Sequence, residues 1–482
     1  MQIRLFLSVW LVLVLHFATN IAREHYPAIA LAEHGTLAVA EYLDLHPDLF
    51  VAPTGHAVIN NPPGASVLAA VPLFLARPVL AYAEAAGKRR VPTDPQAASA
   101  VYEDPRPNRQ KFFRLVRQRG LDLKFGVVAL ATSAGLMAPL TALFAVVFFR
   151  VLVGLGFELR PALLWAALSV FATPLFFRAA YLNHNHLLAL TTFFAFVLIW
   201  RAPVTPARIV VAGALAGWGV FFDYSGVVPA AFLGIWALLE TPAADPIRRG
   251  LLFAAGAAGP LALLLAYQWW AFGSPLTVPQ AVMPNTVYSV VGHSGMTLPQ
   301  LDLIGENLFD PRFGIFAFAP ILLFGVAGLW LAPRAWFSTR QRVLIGTFMV
   351  GFVLFCSANQ FARLQWNTGF RYLAPLVPFL WLLAIPVLQR LPRLVLVPIL
   401  VAAVVESWAL AMARDSVPES LWRVLTQGPE LPWLTVLGKT SVQYAPGMSV
   451  RSFAGPILLI AGLLLAALWW LPIQRKSNLS RP

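Results

Sequence analysis

Charge is scarce in this chain: Asp, Glu, Lys and Arg together make up 12% of its 482 residues, about half the share of an ordinary soluble domain. With hydrophobic residues at 59%, that scarcity excludes a water-soluble globule. Cysteine is scarcer still. The lone Cys356 sits in an apolar run, which excludes intrachain disulfides and cysteine-based metal sites. There is no Walker A pattern and no GxGxxG opening a helix after a strand, which argues against direct use of ATP or a nucleotide-sugar in a soluble domain. The alternating pattern of a lipid-facing barrel is also missing, so spans must be helices whose backbone groups are satisfied internally.

What the sequence does have is apolar runs of roughly 16 to 25 residues, each long enough to cross a ~30 Å hydrocarbon layer as a helix. They lie at 3–20, 124–149, 162–180, 185–200, 208–222, 225–240, 250–271, 313–332, 341–357, 371–389, 393–413 and 453–472. The expected fold is all-α: one polytopic transmembrane helical bundle over 1–482 with about 12 spans, 11 to 13 at the limits. The segment 3–20 reads as a retained first span, because no small-x-small cleavage site follows before Arg23. One stretch, 64–86, is ambiguous, since it contains Pro72, Arg77, Pro78 and Glu84.

Charge placement decides its status. The chain carries 35 Lys and Arg against 21 Asp and Glu, a net charge of +14, which in a membrane protein reads as positive-inside bias and contact with anionic headgroups rather than nucleic acid. If 64–86 lies along the membrane surface, the short arginine-bearing connections (Arg150 and Arg160, Arg201 and Arg208, Arg248 and Arg249, Arg334 to Arg342, Arg390 and Arg393) share the cytoplasmic side with both termini. The expected layout then has a large external first loop at 21–122, with membrane-surface helices and a basic Pro-rich segment, and further external loops at 272–312, lid-like, and 414–452. Every histidine but His16, and most acids, fall on the external side. A site facing the outer leaflet follows from that sorting.

Within the first loop, 29–42 reads as an amphipathic surface helix followed by irregular chain carrying Asp44, Asp48, His56 and Asn60. A carboxylate near a membrane surface can take a proton from a hydroxyl, and Glu24, Asp44 and Asp48 are the candidate bases. His184 and His186, in Asn183-His184-Asn185-His186, suit polar contacts to a sugar or phosphate at a helix lip. They could also recruit a metal, though neither a cysteine nor a carboxylate nearby in sequence completes a site, so no metal ligand is assigned. The sequence demands no cofactor and leaves room for a divalent metal. Asp223 and Tyr224 join two short apolar runs, so Asp223 should dip toward hydrocarbon or cap a helix. Glu406, inside an apolar run, calls for an internal partner such as an arginine. Arg312 and Arg371 sit where loops re-enter the membrane, the latter flanked by Trp366 and Tyr372. Guanidinium groups at that depth suit a lipid phosphate or interfacial snorkelling.

Taken together, the layout and the segments Asn61-Pro62-Pro63-Gly64, Phe272-Gly273-Ser274-Pro275, Arg312-Phe313-Gly314-Ile315-Phe316 and Gly369-Phe370-Arg371-Tyr372-Leu373 resemble the GT-C superfamily of integral-membrane glycosyltransferases, in particular the bacterial polyprenyl-phosphate-sugar-dependent type. The resemblance implies transfer of a sugar from a lipid-linked phosphate donor to a glycan, lipid or protein acceptor on the extracytoplasmic side of the inner membrane, usually with inversion. It implies an acid of the first external loop as base and basic residues on the leaving phosphate. Members of that family commonly place Asp, often Asp-Glu, soon after the first span; here the stretch reads Ile21-Ala22-Arg23-Glu24, so the role falls to Glu24, Asp44 or Asp48. The competing class is a transporter or flippase for a lipid-linked saccharide, which commonly shows a repeated half; no convincing internal repeat is present.

Overall fold

The computed structural model describes residues 1–91, 107–201, 204–240, 245–367, 369–441 and 453–470. Helices dominate, and among the described residues the only paired strands are Leu49–Val51 and Ala57–Ile59. Among the described residues, four helices are long and apolar enough to cross a bilayer: Asp122–Gly154, Pro246–Phe272, Thr339–Ala358 and Arg393–Ala413. Eight shorter apolar helices of 10–17 residues accompany them, Gln2–Leu15, Leu159–Phe171, His184–Trp200, Pro206–Phe222, Tyr224–Leu239, Pro320–Leu331, Ala374–Leu388 and Ala454–Trp470. At ~1.5 Å per residue these rise less than a ~30 Å hydrocarbon layer. Large apolar side chains such as Leu251, Leu263, Val350 and Leu394 are exposed on the long helices, a surface that fits lipid and not water.

The ambiguous stretch is two helices, Gly64–Leu75 and Arg77–Lys88, bent by 82°. The break falls at Ala76, just before Arg77 and Pro78, where proline removes a backbone donor and disfavours helical geometry in the residue ahead of it. Each half has 12 residues, about 18 Å of rise, so neither is a straight crossing by itself. The bent pair is pinned to its neighbours by Lys124, which donates to Glu33 at 2.8 Å and to Glu84 at 2.7 Å.

Two parts of the first loop differ from the sequence reading. The helix there runs His25–His34, starting before the expected stretch, and buries most of its residues instead of lying amphipathically on a surface. The irregular chain around Asp48 and His56 is a β-hairpin, in register Leu49 to Ile59, turned through Pro53 and Thr54 with Gly55 at φ +86°. The Asn60 amide donates to the Asp48 carbonyl at 3.1 Å, which closes the hairpin at its base and fixes Asp48 at its mouth.

Close helix contacts bring this loop onto the bundle. Gly64 lies against the Phe221 carbonyl so tightly that a Cβ would collide with it, and Asn61 donates to the Phe222 carbonyl at 3.4 Å. The chain between the first loop and the end of Pro206–Phe222 is thereby held beside Asp223. Glycines do the same between helices. Gly213 and Gly256 bring Pro206–Phe222 and Pro246–Phe272 backbone to backbone, and Gly325 and Gly328 meet the carbonyls of Leu380 and Leu383, the small-residue packing that replaces hydrophobic drive inside lipid. Gly256→Val should therefore lower the melting temperature in detergent, by the equivalent of ~1–3 kcal/mol of overpacking. Gly259→Val, at a position with open space around it, should leave it unchanged. Equal melting temperatures for the two variants would refute the close crossing.

Candidate functional site

Burying an ionised carboxylate costs several kcal/mol unless cations reach it, so a buried acid directs attention to its neighbours. Glu24 is 2% exposed. Its Oε1 accepts from Arg23 Nε at 3.2 Å and faces His184 Nδ1 at 2.7 Å. The other ring nitrogen of His184 faces Asp223 Oδ2 at 3.1 Å, while Asp223 Oδ1 accepts the Ser225 amide at 2.8 Å. On the opposite flank Arg23 Nη1 donates to Asp48 Oδ2 at 2.5 Å, and His46 Nδ1 stands 3.9 Å from the same oxygen. The result is a continuous chain, His46, Asp48, Arg23, Glu24, His184, Asp223, drawn from the first loop and two helix ends far apart in sequence.

Local structure explains each placement. Asn183 caps His184–Trp200 by accepting the His186 amide at 3.1 Å, leaving His184 as the first helical residue. Asp223 caps the turn Tyr224–Gly226 in the same way. Ala18, just past the first helix, donates to the Ala180 carbonyl at 2.8 Å, which anchors the segment carrying Arg23 and Glu24 against the approach to His184.

The electrostatics follow. Burial works against ionisation of Glu24, but His184 and Arg23 outweigh it and hold the carboxyl well below its ordinary value of 4.5. Asp48 behaves likewise, its burial overcome by Arg23. His46 itself is pushed down by burial despite Asp48, so it stays neutral.

A second cluster, of guanidinium groups, adjoins the chain. Arg178, 1% exposed, lies 5.2 Å from the centre of the Tyr181 ring, and Arg414 lies 4.9 Å from the same ring. Arg414 holds this place from a left-handed backbone conformation, φ +57°, at the end of Arg393–Ala413, and donates to the Phe177 carbonyl at 3.2 Å. Arg371 stacks on Tyr372 at 5.0 Å. Its charge acts on Asp48, Arg178 and Tyr181, and that of Glu24 on Arg178 and Tyr181. Buried Gln365 fixes the Arg371 segment, accepting the amides of Arg371 and Tyr372 on one oxygen and donating to Asn307 at 2.8 Å.

Of the residues singled out in sequence, Glu24, Asp48, His184, Asp223, Arg371 and Tyr372 are brought together. Asp44 forms an ion pair with Arg119 on an exposed flank and takes no part in the chain. His56 stacks on Trp270 at 4.4 Å. Asn60 holds Asp48 through its backbone alone. His186 turns away from His184 to Thr141, 2.8 Å away, and Tyr224 accepts from Gln268 at 3.0 Å. Arg312, itself largely exposed to solvent, is spent on Asp310 two residues earlier. The Trp366 side chain lies outside the described residues. Glu406 lacks the expected arginine: its Oε1 has no hydrogen-bond partner among the described residues.

Arg23, His46, Arg178, Tyr181 and Arg414 escaped the sequence reading as site residues. Arg178 carried a usable signal, an arginine inside the apolar run 162–180. As for metal, both nitrogens of His184 are taken by carboxylates and His186 faces elsewhere, so the pair does not form a cation cage. Among the described residues the one grouping of metal-type side chains is Glu33, His34 and Glu41, where Glu33 already holds Lys124.

No family model matches the chain, and no curated protein or solved structure shows significant similarity to it.

Because the folded Glu24 carboxyl titrates below its unfolded counterpart, its stabilisation is complete above about pH 4.5 and is lost as pH falls below that value toward the depressed folded one. Wild-type protein should therefore melt progressively lower on acidification below that point. Glu24→Gln should already be destabilised at pH 7 by ~3 kcal/mol and should show a shallower acid slope; parallel slopes would refute the ion pairing.

Proposed function

We propose that the protein is a membrane glycosyltransferase that moves a sugar from a polyprenyl-phosphate donor to a glycan, lipid or protein acceptor. What carries this reading is a buried Glu24 whose charge reaches the Arg178 guanidinium, which shares the Tyr181 ring with Arg414 and lies within the influence of Arg371. Such a site pairs a proton acceptor with an anion-binding wall. Base-assisted inverting displacement needs both halves. The carboxylate removes the acceptor proton as its oxygen attacks the anomeric carbon, and the guanidinium groups receive the negative charge that collects on the leaving phosphate. Arginine suits that task because it stays charged near lipid and binds phosphate oxygens in a planar fork. The resemblance to GT-C enzymes supports the same assignment.

The topology that goes with this function has about twelve crossings, both termini in the cytoplasm and the first loop, 21–122, external. It places the site on the extracytoplasmic side of a bacterial inner membrane. The sorting of arginines into the short connections supports it, as does the bend in 64–88, which lets the chain return to the side it left. In a Cys356→Ser background, Val51→Cys and Lys88→Cys should both react with a membrane-impermeant maleimide from outside intact cells, and Arg248→Cys should not. Labelling of Val51→Cys and Lys88→Cys from opposite sides would overturn the layout.

Purified protein in proteoliposomes, supplied with lipid-phosphate sugars and candidate acceptors, should give covalent transfer. Glu24→Gln should lower the rate ~10²–10⁴-fold, the usual contribution of a general base, with donor binding retained. Arg371→Ala should lower it comparably while the protein still folds. Unchanged turnover in Arg371→Ala would sink the phosphate role, and leaflet exchange without transfer would identify a flippase instead.

A further inference from the structure

We propose that His184 and Asp223 are positioning residues for Glu24: they form a carboxylate–imidazolium–carboxylate chain that holds one Glu24 oxygen and leaves the other to meet the acceptor. This rests on the reading of Glu24 as the base.

The geometry distinguishes the two oxygens of Glu24. Both the Arg23 and the His184 contacts fall on Oε1, and Oε2 receives neither. Asp223, by contrast, has both oxygens engaged, one by His184 and one by the Ser225 amide, so neither of its oxygens is without a contact. A carboxylate only accepts hydrogen bonds. A ring that meets an ionised carboxylate at each nitrogen therefore donates from both, and His184 is an imidazolium. That charge sits at the first residue of His184–Trp200, where the helix dipole opposes a cation; the two acids offset that opposition and lock the ring. Arg23 holds Oε1 from the other flank and is tied in turn to Asp48.

During transfer the acceptor O–H proton passes to Glu24 Oε2, the acceptor oxygen bonds to the anomeric carbon, and the bond from that carbon to the phosphate oxygen breaks with its electron pair leaving on the phosphate. His184 keeps both protons throughout. Its contribution is orientation, and a ~1 Å misplacement of a reacting group can cost ~10²-fold in rate.

Two substitutions separate orientation from mere packing. The amide nitrogen of Asn overlays Nδ1 of histidine, and that of Gln overlays Nε2. His184→Asn keeps the donor to Glu24 and gives up Asp223, whereas His184→Gln does the reverse. We expect kcat of His184→Asn to exceed that of His184→Gln by about 10-fold or more, within the range that misorientation costs, with donor KM little changed in both. Equal rates, or a more active His184→Gln, would overturn the proposal. A readout independent of turnover is the ¹⁵N spectrum of histidine-labelled protein in nanodiscs at neutral pH, where the signal missing from His184→Asn belongs to His184. A doubly protonated ring is expected, converting to a neutral one in Asp223→Asn; a single neutral tautomer in the wild type would overturn the relay. Absence of wild-type sugar transfer would reject the glycosyltransferase reading, and the spectrum would then decide the relay separately.

Discussion

The contact between Glu24 and His184 is the constraint on which the rest of the arrangement depends. An acid this deeply buried stays ionised only if its desolvation is offset by cations at hydrogen-bond distance. His184 does so at 2.7 Å, and Arg23 adds a second donor to the same oxygen. Neither partner could be placed there by local structure alone. Glu24 belongs to the segment after the first helix, and His184 begins a helix some 160 residues later in the chain. The ion pair therefore requires the first loop to be folded down onto the bundle, and the hairpin, the bent helix pair and the Lys124 bridge are the parts that hold it down.

Close backbone approach makes that docking feasible. Gly64 lets the loop touch the Phe221 carbonyl, which leaves Asp223 within reach of His184. Further into the bundle, glycines allow Pro206–Phe222 to lie against Pro246–Phe272, so the helix that presents Asp223 is held rigidly. Where the solvent is lipid, apolar burial gives helices little reason to associate, and dispersion contacts between small residues supply much of the attraction. The precision of the charged chain thus derives from uncharged packing several turns away.

The guanidinium cluster has a different physical character. Arg178 and Arg414 share one aromatic ring, and Arg414 keeps its place through a left-handed backbone conformation that costs a non-glycine residue some energy. Like charges gathered in one buried cluster repel one another. Such a wall is most stable with an anion against it, which is why the function proposed here places a phosphate there.

How much of this was legible beforehand divides along a physical line. Charge scarcity and the length of the apolar runs determined a helical, lipid-adapted chain, because period and composition are local properties of a sequence. They also drew attention to Glu24, His184, Asp223 and Arg371, since an ionisable residue beside an apolar run is expensive wherever the chain folds, and to Asp48 as a carboxylate of the first external loop. Tertiary structure alone decided the partnerships. His186, two residues from His184 and equal to it in sequence, turns to Thr141 because a helix start sends neighbouring side chains in different directions. Arg312, which looked equivalent to Arg371, is neutralised by Asp310 two residues before it, while Arg23, with no motif around it, became the hub between two acids. Which distant charges meet, as His184 meets Glu24 and Asp223, is fixed by close packing between segments far apart in the chain, and no spacing along the chain encodes that.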